Sequence, residues 1–207
     1  MMPGETEMSA VLPAGRVSPD SDAALIEQSW AEPARFAEVF DRYYGEIHGY
    51  AARRLGRSLA DDVAAETFLV AFRRRGSYDA AHPVARPWLY GIAANLIAGH
   101  RRAEVRQYRA LARAGAAEAA EGHADRVAGR VDAAAVRGRL AAALTGIAAR
   151  DRQVLLLVAW AQLSCEEAAQ ALGIPAGTAR SRLHRARRKI RAALGGTYPA
   201  AVGEDHD

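Results

Sequence analysis

The sequence has a single cysteine and no long apolar run. Cys165 stands alone among 207 residues, so neither a disulfide framework nor a cysteine-rich zinc site can form within the chain. The six histidines show no metal-ligand spacing with one another or with Cys165. No apolar run approaches the roughly 18 residues that a membrane span needs, and the first residues lack the basic-then-apolar pattern of a signal peptide. We therefore expect a cytoplasmic protein without a disulfide, a metal site or a membrane span.

Sequence signatures of catalysis are also missing. The chain has no glycine-rich phosphate loop ending in Gly-Lys-Ser/Thr, so ATP-driven action is not indicated. It has no Gly-x-Ser-x-Gly turn of the kind that presents a serine nucleophile. We predict no catalytic residue, no cofactor and no small-molecule substrate, and therefore a protein that is not itself an enzyme.

Alanine is the residue that the sequence does have in excess. Its 49 copies make up nearly half of the hydrophobic residues, and alanine is the best helix former. Aromatic residues are only 7%, which argues against a large β-sandwich or barrel. The larger apolar residues are too few for one wide core, but they can line the seams between packed helices. This composition predicts an all-α fold.

Charge is divided unevenly along the chain. Residues 1–48 contain nine acids and three arginines, a balance of −6, and the whole chain is +4, so residues 49–207 carry +10. A basic body behind an acidic N-terminus suggests a polyanionic partner. Of the 28 basic residues, 27 are arginine. GC-rich codons could account for that excess, but they do not account for where the arginines cluster.

Composition divides the chain into five segments. Residues 1–21 are rich in Pro, Gly and Ser and are predicted to form a disordered tail. A first helical domain is expected at residues 22–114 and a second at 139–195. Large apolar residues nearly vanish at residues 115–138, which predicts a flexible linker, partly helical because it is alanine-rich. Residues 196–207 form a C-terminal tail.

The first domain is predicted to hold three longer helices. Apolar residues spaced by three and four predict a helix within 36–56. A second helix follows within 58–75, with acids in its first turn and arginines in its last, as the helix dipole favours. After a loop with two prolines, a further helix is predicted from about Trp88 to Ala114.

Residues 163–194 carry the most informative pattern. Ser164 followed three residues later by Glu167 is a capping box, which opens a helix. Gly173 ends that helix and Pro175 starts the next, so the pair is a helix-turn-helix. The second helix has an inner apolar stripe of Ala179, Leu183, Ala186, Ile190, Ala193 and Leu194. Its other face carries seven cations in twelve positions, with no acid among them: Arg180, Arg182, Arg185, Arg187, Arg188, Lys189 and Arg191.

The segment GIPAGTARSRLHRARRKI resembles the region 4 domain of bacterial extracytoplasmic-function sigma factors, which reads the promoter −35 element. ADDVAAETFLVAFRRR, followed by RPWLYGIAANLIAGHRR, resembles region 2 of the same family. The order of region 2, a variable linker and region 4 is also that of the family. The resemblance covers roughly residues 22–112 and 140–194, and it implies two small helical domains joined by a flexible linker.

The sequence departs from the family pattern at a few positions. Ala168 stands where the family usually has Ile, and Ala179 replaces a usual Val. Thr145-Gly146 replaces the usual Leu-Pro. These changes trim the volume of the core, which is expected to loosen the last domain, but they leave the basic face untouched.

The resemblance implies two DNA-contacting regions. A recognition helix inserts its N-terminal part into the major groove, where arginines pair with guanine and hydroxyls bond to several base edges. The expected −35 contacts are Thr178, Arg180, Ser181, Arg182, His184, Arg185 and Arg188. The loop of residues 77–86 and the helix after it are expected to recognise and melt the −10 element. Its expected contacts are Tyr78, Asp79, Asn95, Arg101 and Arg102, with Asn95 near a flipped base.

By the same resemblance, the helix around Asp61 docks on the clamp of the largest subunit of core RNA polymerase. The expected docking residues are Asp61, Asp62, Glu66 and Thr67. Stabilisation of the helix N-terminus is another role for these acids, worth about 0.3–1 kcal/mol each. Trp88 and Tyr90 could stack on bases, although Trp88 is more often a core residue at such a position. An anti-sigma factor is a further partner that the family suggests.

Two other functions stay open at this point. A self-sufficient helix-turn-helix regulator would share the basic helix but has no need for a docking helix at residues 61–75. An adaptor or anti-sigma protein that binds only protein would not need seven cations on one helix. A sigma factor should retain core polymerase, whereas a self-sufficient regulator should not. A sigma factor should also bind DNA with salt-dependent affinity, whereas a protein that binds only protein should not.

Overall fold

The computed structural model describes residues 21–121 and 128–195, and within these ranges the chain forms helices and no strand. A first module holds α1 to α5, and a second holds α6 to α9. The bounds are α1 Asp22–Gln28, α2 Phe36–Leu55, α3 Arg57–Arg74, α4 Arg86–Gly99, α5 Arg101–Glu121, α6 Ala128–Gly146, α7 Ala149–Trp160, α8 Cys165–Leu172 and α9 Ala176–Ala193. The all-α prediction is confirmed. The expected tails lie outside the described residues, apart from Ser21, whose side chain caps α1.

The helix predicted from Trp88 to Ala114 is two helices in the structure. α4 begins earlier, at Arg86, with Pro87 in its first turn. It ends at Gly99, and the backbone N–H of His100 closes the last turn on the carbonyl of Ile97 at 2.9 Å. The apolar spacing continues across this break, which is why the sequence pattern did not reveal it.

The segment expected to form a linker is mostly helical. Residues 115–121 extend α5, and residues 128–138 belong to α6, which packs along α5. At Gly115 a β-carbon would lie 2.8 Å from the carbonyl oxygen of Ala134 and 2.8 Å from the backbone nitrogen of Gly138. The backbones of α5 and α6 approach this closely because neither Gly115 nor Gly138 has a side chain.

The core of the first module is aliphatic and aromatic, and one buried acid organises its edge. Asp22 in α1 accepts hydrogen bonds from the Tyr43 hydroxyl at 2.6 Å and from the Ala85 amide at 2.7 Å. Arg42 pairs with the same carboxylate. Asp22 therefore ties α1 to α2 and to the start of α4, and the loop between α3 and α4 is anchored at its C-terminal end.

The second module rests directly on the first. α8 packs against α4, and side chains of α7 contact α4 and α5. Leu156 and Leu157 belong to the same buried cluster as Ile97 and Tyr108. Ala168, where the family usually has Ile, is fully buried in this shared cluster. None of the helices in the described ranges has the length and apolar character needed to cross a bilayer.

Candidate nucleic-acid interface

Helices α8 and α9 form the helix-turn-helix that the sequence predicts. The Ser164 hydroxyl accepts from the Glu167 amide at 3.0 Å, and the Glu167 carboxylate accepts from the Ser164 amide at 2.7 Å, so the capping box is complete. Gly173 adopts the left-handed conformation, with φ of +60°, at the end of α8. Pro175 is the N-cap of α9 and not its first helical residue, as the sequence had predicted; the helix itself begins at Ala176. This short turn fixes how α9 projects from the module.

α9 has one buried and one exposed face, as predicted. Ala179, Leu183 and Ala186 are buried against α7 and α8, and Leu194 is buried just beyond the helix. Ala193, expected on the inner stripe, is exposed. Apart from the half-buried Arg182, the seven cations of this helix are exposed. The helix therefore presents a continuous basic surface.

Two acids from neighbouring helices reach two of these cations. Glu166 in α8 pairs with Arg180 at 2.8 Å, and Asp151 in α7 accepts from Arg185 at 3.0 and 3.1 Å. The hydrogen bond from Arg180 lowers the pKa of Glu166, and the bond to Asp151 raises the pKa of Arg185. No acid lies on the basic helix itself, and these two acids could not be predicted from its sequence because they lie 14 and 34 residues away in the chain.

Five of the seven cations have no acidic partner among the described residues. No acid there lies within ion-pair distance of Arg182, Arg187, Arg188 or Arg191. The Lys189 ammonium donates to the Gly146 carbonyl at 3.1 Å. Positive charge that is not neutralised within the protein is available to phosphates.

The hydroxyls expected at the groove lie in the first turns of α9. The Ser181 hydroxyl donates to the Thr178 carbonyl at 3.0 Å, and its oxygen keeps acceptor capacity for another group. His184 is exposed one turn after Arg180. The structure thus brings all seven predicted −35 residues onto one helix, with Thr178 in its first turn and Arg188 about three turns further along.

The residues expected at the −10 element lie on α4, α5 and the loop before them. Asn95 is exposed on α4, and Arg101 and Arg102 are exposed in the first turn of α5. In the loop, the Tyr78 hydroxyl donates to the His82 carbonyl at 2.5 Å, and Asp79 accepts from the Ala81 amide at 3.0 Å. Internal hydrogen bonds therefore shape this loop.

Two aromatic residues near this loop, Trp88 and Tyr90, differ in how deeply they are buried. The half-buried Trp88 packs on Tyr78, with ring centroids 5.0 Å apart. Tyr90 is buried edge-to-face against Tyr50, and burial raises the pKa of Tyr90 to about 12. The suggestion that Tyr90 stacks on a base is therefore wrong for this conformation, because its ring is part of the core.

The acids expected to dock on polymerase lie on one exposed stretch of α3. Asp61, Asp62 and Glu66 are exposed, and Asp61 contacts His48 from α2 at 3.0 Å. Thr67 does not belong to this surface. Its side chain is fully buried and its hydroxyl donates to the Val63 carbonyl at 2.6 Å. We correct the prediction for Thr67 accordingly.

An apolar residue, not among the predicted docking residues, also lies on this surface. Leu69 is 42% exposed and lines a shallow groove between α3 and α4 together with Asp62, Glu66 and His100. The spacing of three from Glu66 to Leu69 places them on one helix face, a signal that was available in the sequence. The neighbouring Phe68, by contrast, is buried in the core.

Comparison with known proteins gives matches over both modules. The family model for sigma-70 region 2 matches residues 39–107, and the model for sigma-70 region 4 matches residues 137–190. The ECF RNA polymerase sigma factor SigL of Mycobacterium tuberculosis is 32% identical over 166 residues, which cover 79% of this chain and 91% of SigL. The ECF sigma factor BldN of Streptomyces coelicolor is 36% identical over 91 residues, covering 41% of this chain but only 34% of BldN.

A solved structure agrees with the arrangement of the helices. CnrH, determined in complex with the cytosolic domain of CnrY, superposes with a TM-score of 0.59 at 24% identity and covers 86% of this chain and 100% of that of CnrH. At this level of identity the likeness supports the fold alone.

Proposed function

The chain belongs to the extracytoplasmic-function (ECF) RNA polymerase sigma factors, and we propose that its exposed basic helix reads the −35 element while α4 and α5 read the −10 element. The observation that carries this proposal is the cation row of α9, projected from a capped helix-turn-helix. Phosphate contacts by Arg187 and Arg188 would position the helix, and Arg182 and Ser181 lie nearer the turn, where recognition helices contact base edges.

Opening the −10 element without ATP requires that the unpaired strands be bound more tightly than the duplex. A base bound outside the stack gains about 1–3 kcal/mol from stacking and edge contacts. Asn95 is the exposed amide on α4, and an amide offers both a donor and an acceptor for a base edge. Arg101 and Arg102 then supply phosphate contacts at the start of α5. The polymerase supplies the bond-forming chemistry.

The exposed stretch of α3 is proposed as the docking surface for the clamp of the largest polymerase subunit. Asp62 and Glu66 are four residues apart and share one face, with Leu69 beside them in the groove. Two carboxylates around an exposed leucine suit a partner surface that carries arginines around an apolar residue. Such a complex places the protein in the cytoplasm, where the polymerase acts.

An anti-sigma factor is part of the same proposal. CnrH was solved with the cytosolic domain of a second protein bound to it, and the groove on α3 is available to any partner with matching charge. Such a partner is expected to compete with core polymerase for binding to this chain.

The −35 assignment is tested with a duplex that carries the cognate element. Arg188→Ala should weaken binding about tenfold, and the slope of log affinity against log salt should fall by about one, because one phosphate contact is lost. Arg150→Ala is the matched control, since Arg150 is an exposed arginine of the same module that lies on α7. Equal effects of the two substitutions would contradict the assignment of α9 to the groove.

The docking assignment is tested by competition against another sigma factor for core polymerase. The double variant Asp62→Asn with Glu66→Gln should compete at least tenfold less well, since both carboxylates lose their charge. The double variant Glu38→Gln with Asp41→Asn makes the same change of charge on an exposed part of α2. If the two double variants compete equally, the docking surface lies elsewhere.

A further inference from the structure

Two arginines of α9 are paired with acids, but the two pairs are built differently. Both oxygens of Asp151 in α7 accept from Arg185, one from Nε at 3.1 Å and the other from Nη2 at 3.0 Å. Glu166 accepts a single hydrogen bond from Arg180, at 2.8 Å. The Asp151 side chain is 13% exposed, whereas that of Glu166 is 59% exposed. Arg185 is therefore held at two points by a largely buried carboxylate, and Arg180 by one bond at the surface.

The carboxylate of Asp151 stands on a fixed support. Asp151 lies in the first turn of α7 and is itself buried. The next residue, Arg152, donates from one guanidinium nitrogen to the carbonyls of Leu144 and Ile147, both at 3.0 Å. These bonds tie the start of α7 to the end of α6 and to the connection between the two helices. A buried carboxylate at the start of a tied helix has little freedom, so it can orient the group that it binds.

The two bonds constrain the Arg185 guanidinium and leave part of it unused. A guanidinium is planar, and two parallel bonds to one carboxylate restrict its rotation. It carries five N–H groups, of which this pairing uses two, so that one on Nη2 and two on Nη1 remain. No other acceptor in the described part of the chain takes them. The Arg185 side chain is 49% exposed, so the group is accessible to a ligand.

The remaining donors match one base edge. One N–H of Nη1 and one of Nη2 point the same way, end-on from the guanidinium. Such a pair fits the O6 and N7 acceptors that guanine presents in the major groove. Arg185 follows Ser181 by four residues, so the two lie on one face of α9. Ser181 is exposed on that face, in the part of the helix proposed above to contact base edges.

We propose that Asp151 is a positioning residue for specificity, which holds the Arg185 guanidinium end-on toward one guanine of the −35 element. The proposal rests on the function proposed above and adds to it a residue outside the recognition helix. Asp151 brings negative charge close to a polyanion, so it lowers the affinity for every DNA sequence. Its gain lies in discrimination. A guanidinium that is already oriented loses less freedom when it binds guanine, and it is kept from turning to a phosphate or to another base.

Selection from a promoter library measures the base preference at each position. The holoenzyme of core polymerase and the full chain is bound to duplexes randomised over the −35 element, and the bound duplexes are sequenced. Arg185→Ala identifies the position that Arg185 reads, because a guanine preference disappears there. Asp151→Asn should lower the same preference about tenfold and leave the others unchanged. A guanine preference that Asp151→Asn leaves intact would overturn the proposal, as would the absence of any position that depends on Arg185.

Glu166→Gln is the matched control, because it removes the charge of the other acid that is paired with α9. Glu166 makes one exposed bond to Arg180 and fixes no orientation, so every base preference should be unchanged. Binding to a duplex without promoter sequence should not fall in either variant, since each loses a negative charge. The proposal fails if Glu166→Gln lowers a guanine preference as much as Asp151→Asn does. It also fails if Asp151→Asn binds the promoter-free duplex less tightly, because the module is then damaged.

A double-mutant cycle separates positioning from support of the fold. If Asp151 acts through Arg185, Asp151→Asn should change no base preference in an Arg185→Ala background. A further change there would overturn the proposal, because Asp151 would then act by another route. Circular dichroism establishes that each variant is folded. Should Asp151→Asn fail to fold, Asp151→Glu is measured instead, since it keeps the charge but moves the carboxylate by one methylene. A lowered guanine preference in Asp151→Glu supports the proposal, and an unchanged one overturns it.

The same selection separates the positioning role from the function on which it rests. A holoenzyme that selects a −35 sequence, but with no guanine set by Arg185 and Asp151, retains the proposed function and loses the positioning role. A holoenzyme that selects no −35 sequence from the library removes both.

Discussion

The two modules of this sigma factor are stabilised by different kinds of side chain. The first buries large residues, among them Tyr50, Leu89 and Ile97. The buried cluster between α8 and α9 in the second is smaller and combines Ala169 and Ala179 with Leu183. Burial stabilises by about 25 cal/mol per Å² of apolar area, so small side chains contribute little each. Contact with the first module adds to the stability of the second, because Leu144, Leu156 and Leu157 are buried in the shared cluster.

The largest expected effect comes from the carboxylate that both modules share. Glu104→Ala leaves the buried guanidinium groups of Arg54 and Arg152 without their anion, and breaking a buried pair in this way costs about 3–5 kcal/mol. Urea unfolding of the full chain measures this loss. Glu46→Ala is the control, since Glu46 pairs with Arg86 at an exposed position and should cost below about 1 kcal/mol. Similar losses for both variants would show that the buried network does not support the fold.

A smaller effect should be confined to one module. Leu183→Ala truncates a buried residue of α9 and should destabilise the second module by about 2–4 kcal/mol. We expect binding to a −35 duplex to weaken strongly while competition for core polymerase through α3 is nearly retained. Leu111→Ala removes an exposed leucine of α5 and should change neither. Equal loss of both activities in Leu183→Ala would mean that the modules do not act as separate units.

The smallest effect concerns the start of the helix-turn-helix. Ser164→Ala removes one half of the capping box and should lower stability by about 1 kcal/mol. Ser58→Ala is the control, because Ser58 is exposed in the first turn of α3, where no side chain caps the helix. Thermal unfolding followed by circular dichroism compares them. A shift no larger than that of the control would contradict the role of the cap.

The features that could be predicted from the sequence are local ones. The capping box at Ser164, the left-handed Gly173 and the two faces of α9 each depend on residues within one or two turns of one another. Their signals survive in the sequence because local hydrogen bonds and helical periodicity decide them. The candidate −35 surface was therefore predictable almost residue by residue.

The features that could not be predicted depend on residues far apart in the chain. Glu104 meets Arg54 and Arg152 across 50 and 48 residues, and no spacing rule connects them. Thr67 and Tyr90 carry polar groups that suit a surface, but packing buried both. The closeness of the two modules was missed for the same reason, because an alanine-rich segment looks like a linker unless its partner helix is known.

Run-off transcription with purified core polymerase tests the central claim most directly. Templates drawn from the genome that encodes this protein are transcribed with core enzyme alone, with core enzyme plus this chain, and with core enzyme plus the Arg188→Ala chain. We predict a start site that appears only when the chain is added and that weakens with the variant. Transcripts identical to those of core enzyme alone would contradict the assignment of this chain as a promoter-reading subunit.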